Sequence, residues 1–278
     1  MNFLRFLIKI KIFKRIIPSV TKCFLKIIDK TILTIRFKNL FFEININDPI
    51  DQQIFFRNNY ENEQIDYLIK KIKKFKAKIF LDIGCNSGLY SLIIAKNFPR
   101  SKVLSFEPVK QTFLKLKKNI KLNNKIKNIK TYNFGLSSKK TQLPMKALIK
   151  DHYIQPGGFG VLKKNEKNLY KSNKIHISSA YFEKGDNIIN FTNKIIACKI
   201  DVEGHELDVL KGFDLRKYKP NIVVIEFLDL SAKKLEIKNL NIENVLKSKI
   251  YKYMITQNYT LVNWLHSDLV FANNLFRD

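Results

Sequence analysis

Acidic residues follow apolar runs at three separate places in this chain. Asp82 ends the run from Lys78, Glu107 ends the run from Val103, and Asp201 ends the run from Ile195. In open α/β sheets, ligands bind beyond the carboxyl ends of the strands. Carboxylates at three such ends are therefore expected to meet in one site, where they favour a ligand that carries a cation or an amine.

The first of these acids begins a glycine-rich loop, Asp82-x-Gly84-x-Asn86-x-Gly88, which an apolar-periodic segment follows. That order predicts a strand, a tight turn and a helix N-terminus, where backbone N–H groups can hold a nucleotide-like ligand. An acid at this position repels a pyrophosphate, so the expected ligand carries a cation or an amine, and S-adenosylmethionine is such a ligand. The alternative is an ordinary strand–helix turn.

The second acid, Glu107, lies 25 residues after Asp82 and is followed by Pro108, which stops the strand. An acid at the tip of the second strand of a βαβ unit is placed to accept hydrogen bonds from both ribose hydroxyls. The alternative is a solvated acid at a strand end.

The third segment places Asp201, Glu203 and His205 between a strand and a helix, which makes it a candidate reaction centre. A histidine accepts a hydroxyl proton near neutral pH, and the two carboxylates either orient it or bind a divalent ion. Glu226, at the end of the neighbouring strand, is able to join such an ion site. The sequence is compatible with a divalent metal but does not require one, so we assign no metal ligand. Alternatively, Glu203 and His205 cap the helix and stay in solvent.

These segments together resemble the FkbM family of S-adenosylmethionine-dependent methyltransferases, over about residues 55–275. Tyr60-Glu61 is similar to the segment that enters the family's domain. The other matching motifs are Asp82-x-Gly84-x-Asn86-x-Gly88-x-x-Ser91, Phe106-Glu107-Pro108, Leu116-x-x-Asn119-x-x-x-Asn123, and Lys199-Ile200-Asp201-Val202-Glu203-Gly204-His205-Glu206 with Leu210-x-Gly212.

The resemblance implies an α/β, Rossmann-like class I methyltransferase fold. Its sheet is mostly parallel, with helices on both faces and an antiparallel C-terminal strand. The resemblance also implies roles for the site residues. Asp82 and the Gly84–Gly88 turn hold the methionine end of the cofactor, Glu107 holds the ribose, and Gly135 and Leu136 flank the adenine. Asn86 and Ser91 fix the loop and the helix start, and the reaction centre consists of Asp201, Glu203 and His205.

Members of this family commonly methylate hydroxyls of sugars, lipid-linked glycans or secondary metabolites, so a saccharide or glycan is the expected acceptor. Residues 137–195 fit the family poorly, and Ser138 stands where an acid is usual. The alternative function is an RNA methyltransferase that binds nucleic acid through its basic surface.

The chain carries a formal net charge of +27, which ordinarily indicates a nucleic-acid or anionic-membrane partner. Only seven of its 51 basic residues are arginine, the side chain that usually reads bases and phosphates, so nucleic acid is not the expected partner. Its three cysteines have no disulfide or zinc spacing, which predicts a cytoplasmic protein.

We expect two parts, a basic N-terminal segment over residues 1–40 and a methyltransferase domain over residues 41–278. Residues 1–40 hold ten basic side chains and one acid, Asp29, and no apolar run approaches the roughly 20 residues that span a bilayer. A helical stripe is formed by Phe3, Phe6, Ile10, Phe13 and Ile17, although Ile8–Ile12 also alternates like a strand. The segment either lies at the inner face of a membrane or packs as a helix on the domain or on another subunit.

The remaining pattern alternates strands with helices, as a parallel sheet requires. The expected strands are 41–46, 78–82, 102–106, 129–134, 195–201, 221–227, 259–264 and 268–272, and the expected helices are 65–75, 88–98, 110–122, 204–212 and 235–254. Residues 137–194 are expected to be irregular, with a break at 156–158.

Overall fold

The computed structural model describes residues 13–150, 153–155, 158–163, 175–191, 194–227 and 242–276. The helices are α1 (Phe13–Ile27), α2 (Pro49–Gln52, continued by a π-helical turn Gln53–Arg57), α3 (Asn62–Phe75), α4 (Leu89–Asn97), α5 (Lys110–Leu122), α6 (Gly185–Ile188), α7 (Glu206–Lys211), α8 (Leu215–Tyr218), α9 (Ile242–Lys247) and α10 (Lys249–Thr256). The strands are β1 (Ile32–Phe37), β2 (Leu40–Asn45), β3 (Ile79–Ile83), β4 (Lys102–Phe106), β5 (Ile129–Tyr132), β6 (Gly135–Ser137), β7 (Thr141–Lys150), β8 (Tyr153–Ile154), β9 (Gly160–Val161), β10 (Ile175–Lys184), β11 (Ile196–Ile200), β12 (Ile222–Glu226), β13 (Tyr259–Leu265) and β14 (Asp268–Asn273).

The central sheet has the strand order β13-β14-β12-β11-β3-β4-β5. Strands β5, β4, β3, β11 and β12 run parallel, and β14 runs antiparallel to both of its neighbours. Every residue of β3 and β11 is buried, as expected for inner parallel strands that are covered on both faces. The predicted sheet, mostly parallel with an antiparallel C-terminal strand, is confirmed.

Helices cover both faces of this sheet. One face packs against α3 and α4 through side chains such as Ile65, Leu68 and Leu92. The other face packs against α7, α9 and α10 through Leu210, Val245 and Met254. The carboxyl ends of β3, β4, β11 and β12 therefore remain uncovered at one edge, where a ligand site is expected.

Residues 137–194 contain a second sheet, so the expectation of an irregular segment is wrong. Strand β10 pairs antiparallel with β7 over eight residues of each strand and parallel with β6 at its other edge. Strand β9 pairs with β7, and β8 continues the sheet. These long strands mix polar and apolar residues and are not recognised by an alternation test, because only part of one face is buried, at Met145, Ala147, Ala180 and Phe182.

Part of the N-terminal segment packs with the rest of the chain. Strand β1 pairs with β2 along its whole length, and Ile35 and Phe37 belong to the core that α3 and α4 cover. The boundary expected at residue 40 lies within this hairpin, and the division of the chain into two parts stays a prediction. Of the predicted helical stripe, Phe13 and Ile17 lie in α1, whereas Phe3, Phe6, Ile10 and the alternation over 8–12 fall outside the described residues. None of the helices in the described ranges is long and apolar enough to cross a bilayer.

The C-terminal prediction of one helix over 235–254 needs correction. Residues 228–241 lie outside the described ranges, and the rest forms two helices, α9 and α10, that meet at Ser248. The Ser248 hydroxyl accepts a hydrogen bond from the Tyr251 N–H and so caps α10. The two late strands are confirmed as β13 and β14.

Candidate active site

A single cleft lies at the carboxyl edge of the central sheet. It is lined by Gly84 and Asn86 after β3, Glu107 after β4, Gly135 and Leu136 of β6, Asp201, Glu203 and His205 after β11, and Glu226 at the end of β12. Tyr60 and Glu61, which precede α3, line the same cleft. The structure therefore brings together most of the residues that the sequence singled out, from segments far apart in the chain.

The loop after β3 depends on glycine at position 84. Gly84 has a φ of +81°, and a Cβ there would lie 1.8 Å from the carbonyl oxygen of Asp201. The Gly84 N–H also donates to the Phe106 carbonyl at 3.0 Å. This glycine thus lets the ends of β3, β4 and β11 approach one another, which sets the width of the cleft.

Asp82, Ser91 and Gly88 lie behind the cleft and are not part of its lining. The Asp82 carboxylate is buried and accepts a hydrogen bond from the Ser91 hydroxyl, which also contacts the Ser105 hydroxyl at 2.6 Å. Burial raises the pKa of Asp82 to about 6. Gly88 begins α4 with a φ of +88°, where a Cβ would meet the Leu116 side chain. These residues fix the loop and the helix start, and the cofactor contacts expected of Asp82 and Gly88 stay predictions.

Glu107 organises the loop from the neighbouring strand. Its Oε2 accepts the Asn86 N–H at 3.0 Å, and its Oε1 accepts the Val109 N–H at 2.8 Å. Burial raises the pKa of Glu107 to about 7 despite these bonds. Each carboxylate oxygen can accept a second hydrogen bond, so Glu107 retains one acceptor position on each oxygen for hydroxyl donors in the cleft.

Gly135 and Leu136 form part of an apolar side of the cleft. A Cβ at Gly135 would lie 2.4 Å from the Phe182 ring, so only glycine lets β10 approach β6 this closely. Pro108, Leu136 and Phe182 line this side and supply flat and aliphatic surface without charge. Such a surface suits a heteroaromatic ring.

Three carboxylates, Asp201, Glu203 and Glu226, cluster in the same cleft. One oxygen of each lies within 4.8 Å of the others, and Glu226 Oε2 is buried without a hydrogen-bond partner. Burial, and then repulsion from Asp201, raises the pKa of Glu203 to about 8 and that of Glu226 to about 11. The cluster therefore holds protons at neutral pH, or it holds a divalent cation, for which carboxylate oxygens are suitable ligands.

Lys199 supports this cluster from within β11, and sequence reasoning assigned it no role. Its Nζ lies 3.1 Å from Asp201 Oδ2, 3.5 Å from Asp268 Oδ2 and 4.8 Å from the centre of the Tyr90 ring. Burial alone would lower the pKa of Lys199, but Asp201 and Asp268 raise it well above its usual value. The buried ammonium thus holds the Asp201 carboxylate in place. The signal in the sequence was a lysine inside an otherwise apolar strand.

His205 lines the cleft, but protein groups lie beside both of its ring nitrogens. Nε2 lies 3.0 Å from the buried Ser137 hydroxyl, and Nδ1 lies 3.6 Å from Asp208 Oδ2. Burial lowers the pKa of His205, against the opposing effect of Asp208. The imidazole is therefore neutral and held in place, and it must leave Ser137 before Nε2 can take a proton from a ligand.

The far wall of the cleft comes from the segment that the sequence left uninterpreted. Met145 of β7, Phe159, Val161 of β9 and Phe182 of β10 line it with apolar side chains. They face a site whose charged lining residues are acids, namely Glu61, Glu107, Asp201, Glu203 and Glu226. A cationic ligand in this cleft would stabilise the deprotonated forms of these acids, whereas a pyrophosphate would disfavour them.

Comparison with known proteins identifies a domain that includes most of the residues lining this cleft. The family model described as the methyltransferase FkbM domain matches residues 82–259. Methyltransferase sdnD of Sordaria araneosa is 28% identical over 171 residues, which are 52% of this chain and 64% of that protein. Methyltransferase 1 of Beauveria bassiana (strain ARSEF 2860) is 26% identical over 149 residues, which are 48% of this chain and 57% of that protein. The chain thus spans less than two thirds of the length of these relatives.

Two solved methyltransferase structures match this chain weakly, at low sequence identity. A methyltransferase FkbM from Methylobacillus flagellatus KT is 13% identical, with a TM-score of 0.46 over 70% of this chain and 43% of that chain. The O-methyltransferase TomG from Streptomyces achromogenes is 10% identical, with a TM-score of 0.42 over 77% of this chain and 81% of that chain.

Proposed function

The chain belongs to the FkbM methyltransferase family, and on that premise we propose that it is an S-adenosylmethionine-dependent O-methyltransferase acting on a hydroxyl of a saccharide or lipid-linked glycan. This proposal rests on one observation. Glu107 and the carboxylate cluster of Asp201, Glu203 and Glu226 line the same cleft. When bound, S-adenosylmethionine supplies a methyl group that its positive sulfur already activates. The protein must therefore position the acceptor and remove its proton.

The lining of the cleft fits this cofactor. Glu107 keeps free acceptor positions for the two ribose hydroxyls, and Leu136, Pro108 and Phe182 offer an apolar surface to the adenine. The acidic lining suits the sulfonium and the amino group, whereas a nicotinamide dinucleotide would bring a pyrophosphate into it. Gly84 and Asn86 hold the loop that faces the methionine end.

Within the reaction centre, we propose that Glu203 accepts the proton of the acceptor hydroxyl. Its raised pKa of about 8 suits a carboxylate that accepts a proton and returns it to water near neutral pH. Asp201, which Lys199 holds in place, repels the charged form of Glu203 and so favours a proton there. His205, held between Ser137 and Asp208, positions the loop and the acceptor. The carboxylates of Asp201, Glu203 and Glu226 are also placed to hold Mg²⁺ or Mn²⁺, which would supply acidification of the hydroxyl.

Cofactor binding is the first test. We expect calorimetry to detect binding of S-adenosylhomocysteine to the purified protein, and little or no binding of NAD. Glu107→Gln should weaken the binding by about 1–3 kcal/mol, the usual cost of losing hydrogen bonds to a charged group. As a control, Glu243→Gln changes an exposed carboxylate of α9 and should leave binding intact. Tight NAD binding without binding of S-adenosylhomocysteine would overturn the cofactor assignment.

The acceptor class needs a separate measurement. Transfer of tritiated methyl groups from S-adenosylmethionine is compared for extracted polysaccharide, lipid-linked glycan and total RNA. We expect alkali-stable label in the saccharide-containing fractions. The net charge of +27 makes RNA the specific competitor, so label in RNA alone would replace the saccharide assignment by an RNA methyltransferase.

A further inference from the structure

Helix α1 presents an apolar stripe to solvent. The stripe consists of five side chains that are between 38% and 77% exposed, namely Phe13, Ile16, Val20, Phe24 and Ile27. Their spacings of three and four residues place them along one side of the helix. A row of exposed apolar side chains on one helix face marks an interaction surface, in contrast to isolated exposed residues.

The outward orientation of this stripe is fixed by packing on the neighbouring side of the helix. Ile17 and Leu25 pack against the buried pair Ile46 and Phe56. The helix is thus already attached to the domain through other side chains. The stripe is therefore not a core face that a small rotation of the helix would bury. Whatever covers the stripe must come from outside the described part of the chain.

The charge around the stripe identifies the kind of partner. Residues 13–30 contain five basic side chains and one acid, Asp29. Arg15, Lys26 and Lys30 are exposed, and Lys22 is half-buried. Two copies of this helix would bring like charges together, whereas an anionic surface complements them. Long basic side chains can also extend from an apolar face toward lipid headgroups.

We propose that α1 docks the protein on an anionic phospholipid surface. The stripe enters the boundary between acyl chains and headgroups, and Arg15 and Lys26 contact the headgroups. The helix lies along the surface, since its 15 residues extend about 22 Å, less than the roughly 30 Å of a bilayer core. This inference goes beyond the methyl-transfer reaction, because it concerns where the protein works and does not depend on the acceptor.

The test uses the full chain and two doubly substituted variants of equal charge. Val20→Glu with Phe24→Glu changes the stripe, and Leu246→Glu with Ile255→Glu changes exposed apolar residues of α9 and α10. Each protein is sedimented with vesicles of phosphatidylcholine alone, or of phosphatidylcholine and phosphatidylserine in a two-to-one ratio. Thermal unfolding of each protein establishes that it remains folded.

We expect the wild type and the α9–α10 variant to bind the phosphatidylserine vesicles and to be released as the salt concentration rises. The stripe variant should bind at least about tenfold more weakly, because a charge replaces apolar surface at the interface. Equal vesicle binding by both variants overturns the proposal, and so does equal binding to vesicles without phosphatidylserine. Concentration-dependent dimerisation that only the stripe variant loses would assign the stripe to a second copy of the chain, which also overturns it.

Discussion

At the scale of single residues, the sequence located the acids of the site but not their protonation. Asp201, Glu203 and Glu107 could be assigned to strand ends because an acid after an apolar run is visible in a sequence. Their protonation depends on neighbours that are distant in the chain. Lys199 lies beside Asp201 and also beside Asp268, which comes from the C-terminal strand β14. A local pattern carries no information about such a pairing.

The same limit applies to His205. Its position in the sequence made it a candidate base, and the cleft lining contains it. Ser137, however, lies 68 residues earlier and comes within 3.0 Å of Nε2 where β6 packs against α7, the helix that follows His205. Because the second sheet was not predicted, this contact could not be predicted either. The contact weakens the case for His205 as the proton acceptor and strengthens that for Glu203.

The first prediction concerns the pH dependence of methyl transfer. If Glu203 accepts the proton, kcat/KM rises with pH through an apparent pKa near 8, because the carboxylate must be deprotonated to act. Glu203→Gln should lower turnover by about 10²–10⁴-fold and remove this rise. His205→Gln should retain the rise and lose less activity. The measurement is a pH–rate profile of all three proteins with the glycan fraction that accepts label.

Two outcomes would change this assignment. A rise centred below pH 6.5 that His205→Gln abolishes would make His205 the base, since burial lowers its pKa. A rise that moves to lower pH on addition of Mg²⁺, with activity lost on chelation, would make the carboxylates metal ligands.

At the scale of elements, parallel strands were predicted well and the second sheet was not. The strands β3, β4, β11 and β12 are short apolar runs that are buried on both faces, and such runs stand out from a lysine-rich background. Strand β7 has exposed apolar residues such as Leu148 and polar residues between them, so its pattern resembles a loop. Its pairing with β10 is a long-range contact that stabilises both strands.

The second prediction tests the contact between two strand-end loops at Gly84. Gly84→Ala forces a Cβ toward the Asp201 carbonyl in a left-handed backbone conformation. We expect the free energy of unfolding to fall by about 2–5 kcal/mol, from the backbone cost and the overpacking together. Binding of S-adenosylhomocysteine should be lost, because the loop and β11 move apart. Denaturant unfolding and calorimetry measure the two effects.

The matched control for this substitution is Gly158→Ala. An added Cβ at Gly158 meets no atom within 4 Å, and the residue is exposed. Its unfolding free energy should stay within about 0.5 kcal/mol of the wild type. Wild-type stability and cofactor binding in Gly84→Ala would show that the loop does not need this close approach.

At the scale of the whole molecule, the protein is basic, but the acids of the site line one cleft. The net charge of +27 predicts anionic partners, whereas the acids that line the cleft favour a cationic ligand. The two predictions are compatible, because the basic side chains within residues 13–30 and the acidic cleft belong to different parts of the surface. The membrane and the cationic cofactor would then be bound by different parts of the same chain.

The third prediction is that the stability of the ligand-free protein falls as pH rises from 6.5 to 9. Burial raises the pKa of Glu107 to about 7 and that of Glu203 to about 8, whereas an unfolded glutamate has a pKa of about 4.3. The native state thus holds protons that the unfolded state has released, so the resulting stabilisation is present at low pH and is lost as pH rises through 7 and 8. One such proton contributes about 1.4 kcal/mol per pH unit, and Tm changes by about 2–4 °C for each kcal/mol, so a fall of several degrees in Tm is expected.

Differential scanning calorimetry of Glu203→Gln should show a shallower fall of Tm with pH. Glu243→Gln, which alters an exposed carboxylate, should keep the wild-type slope. A Tm that does not change over this range would mean that the acids of the cleft are ionised in the free protein, and the proton acceptor would then be ready at neutral pH without Mg²⁺.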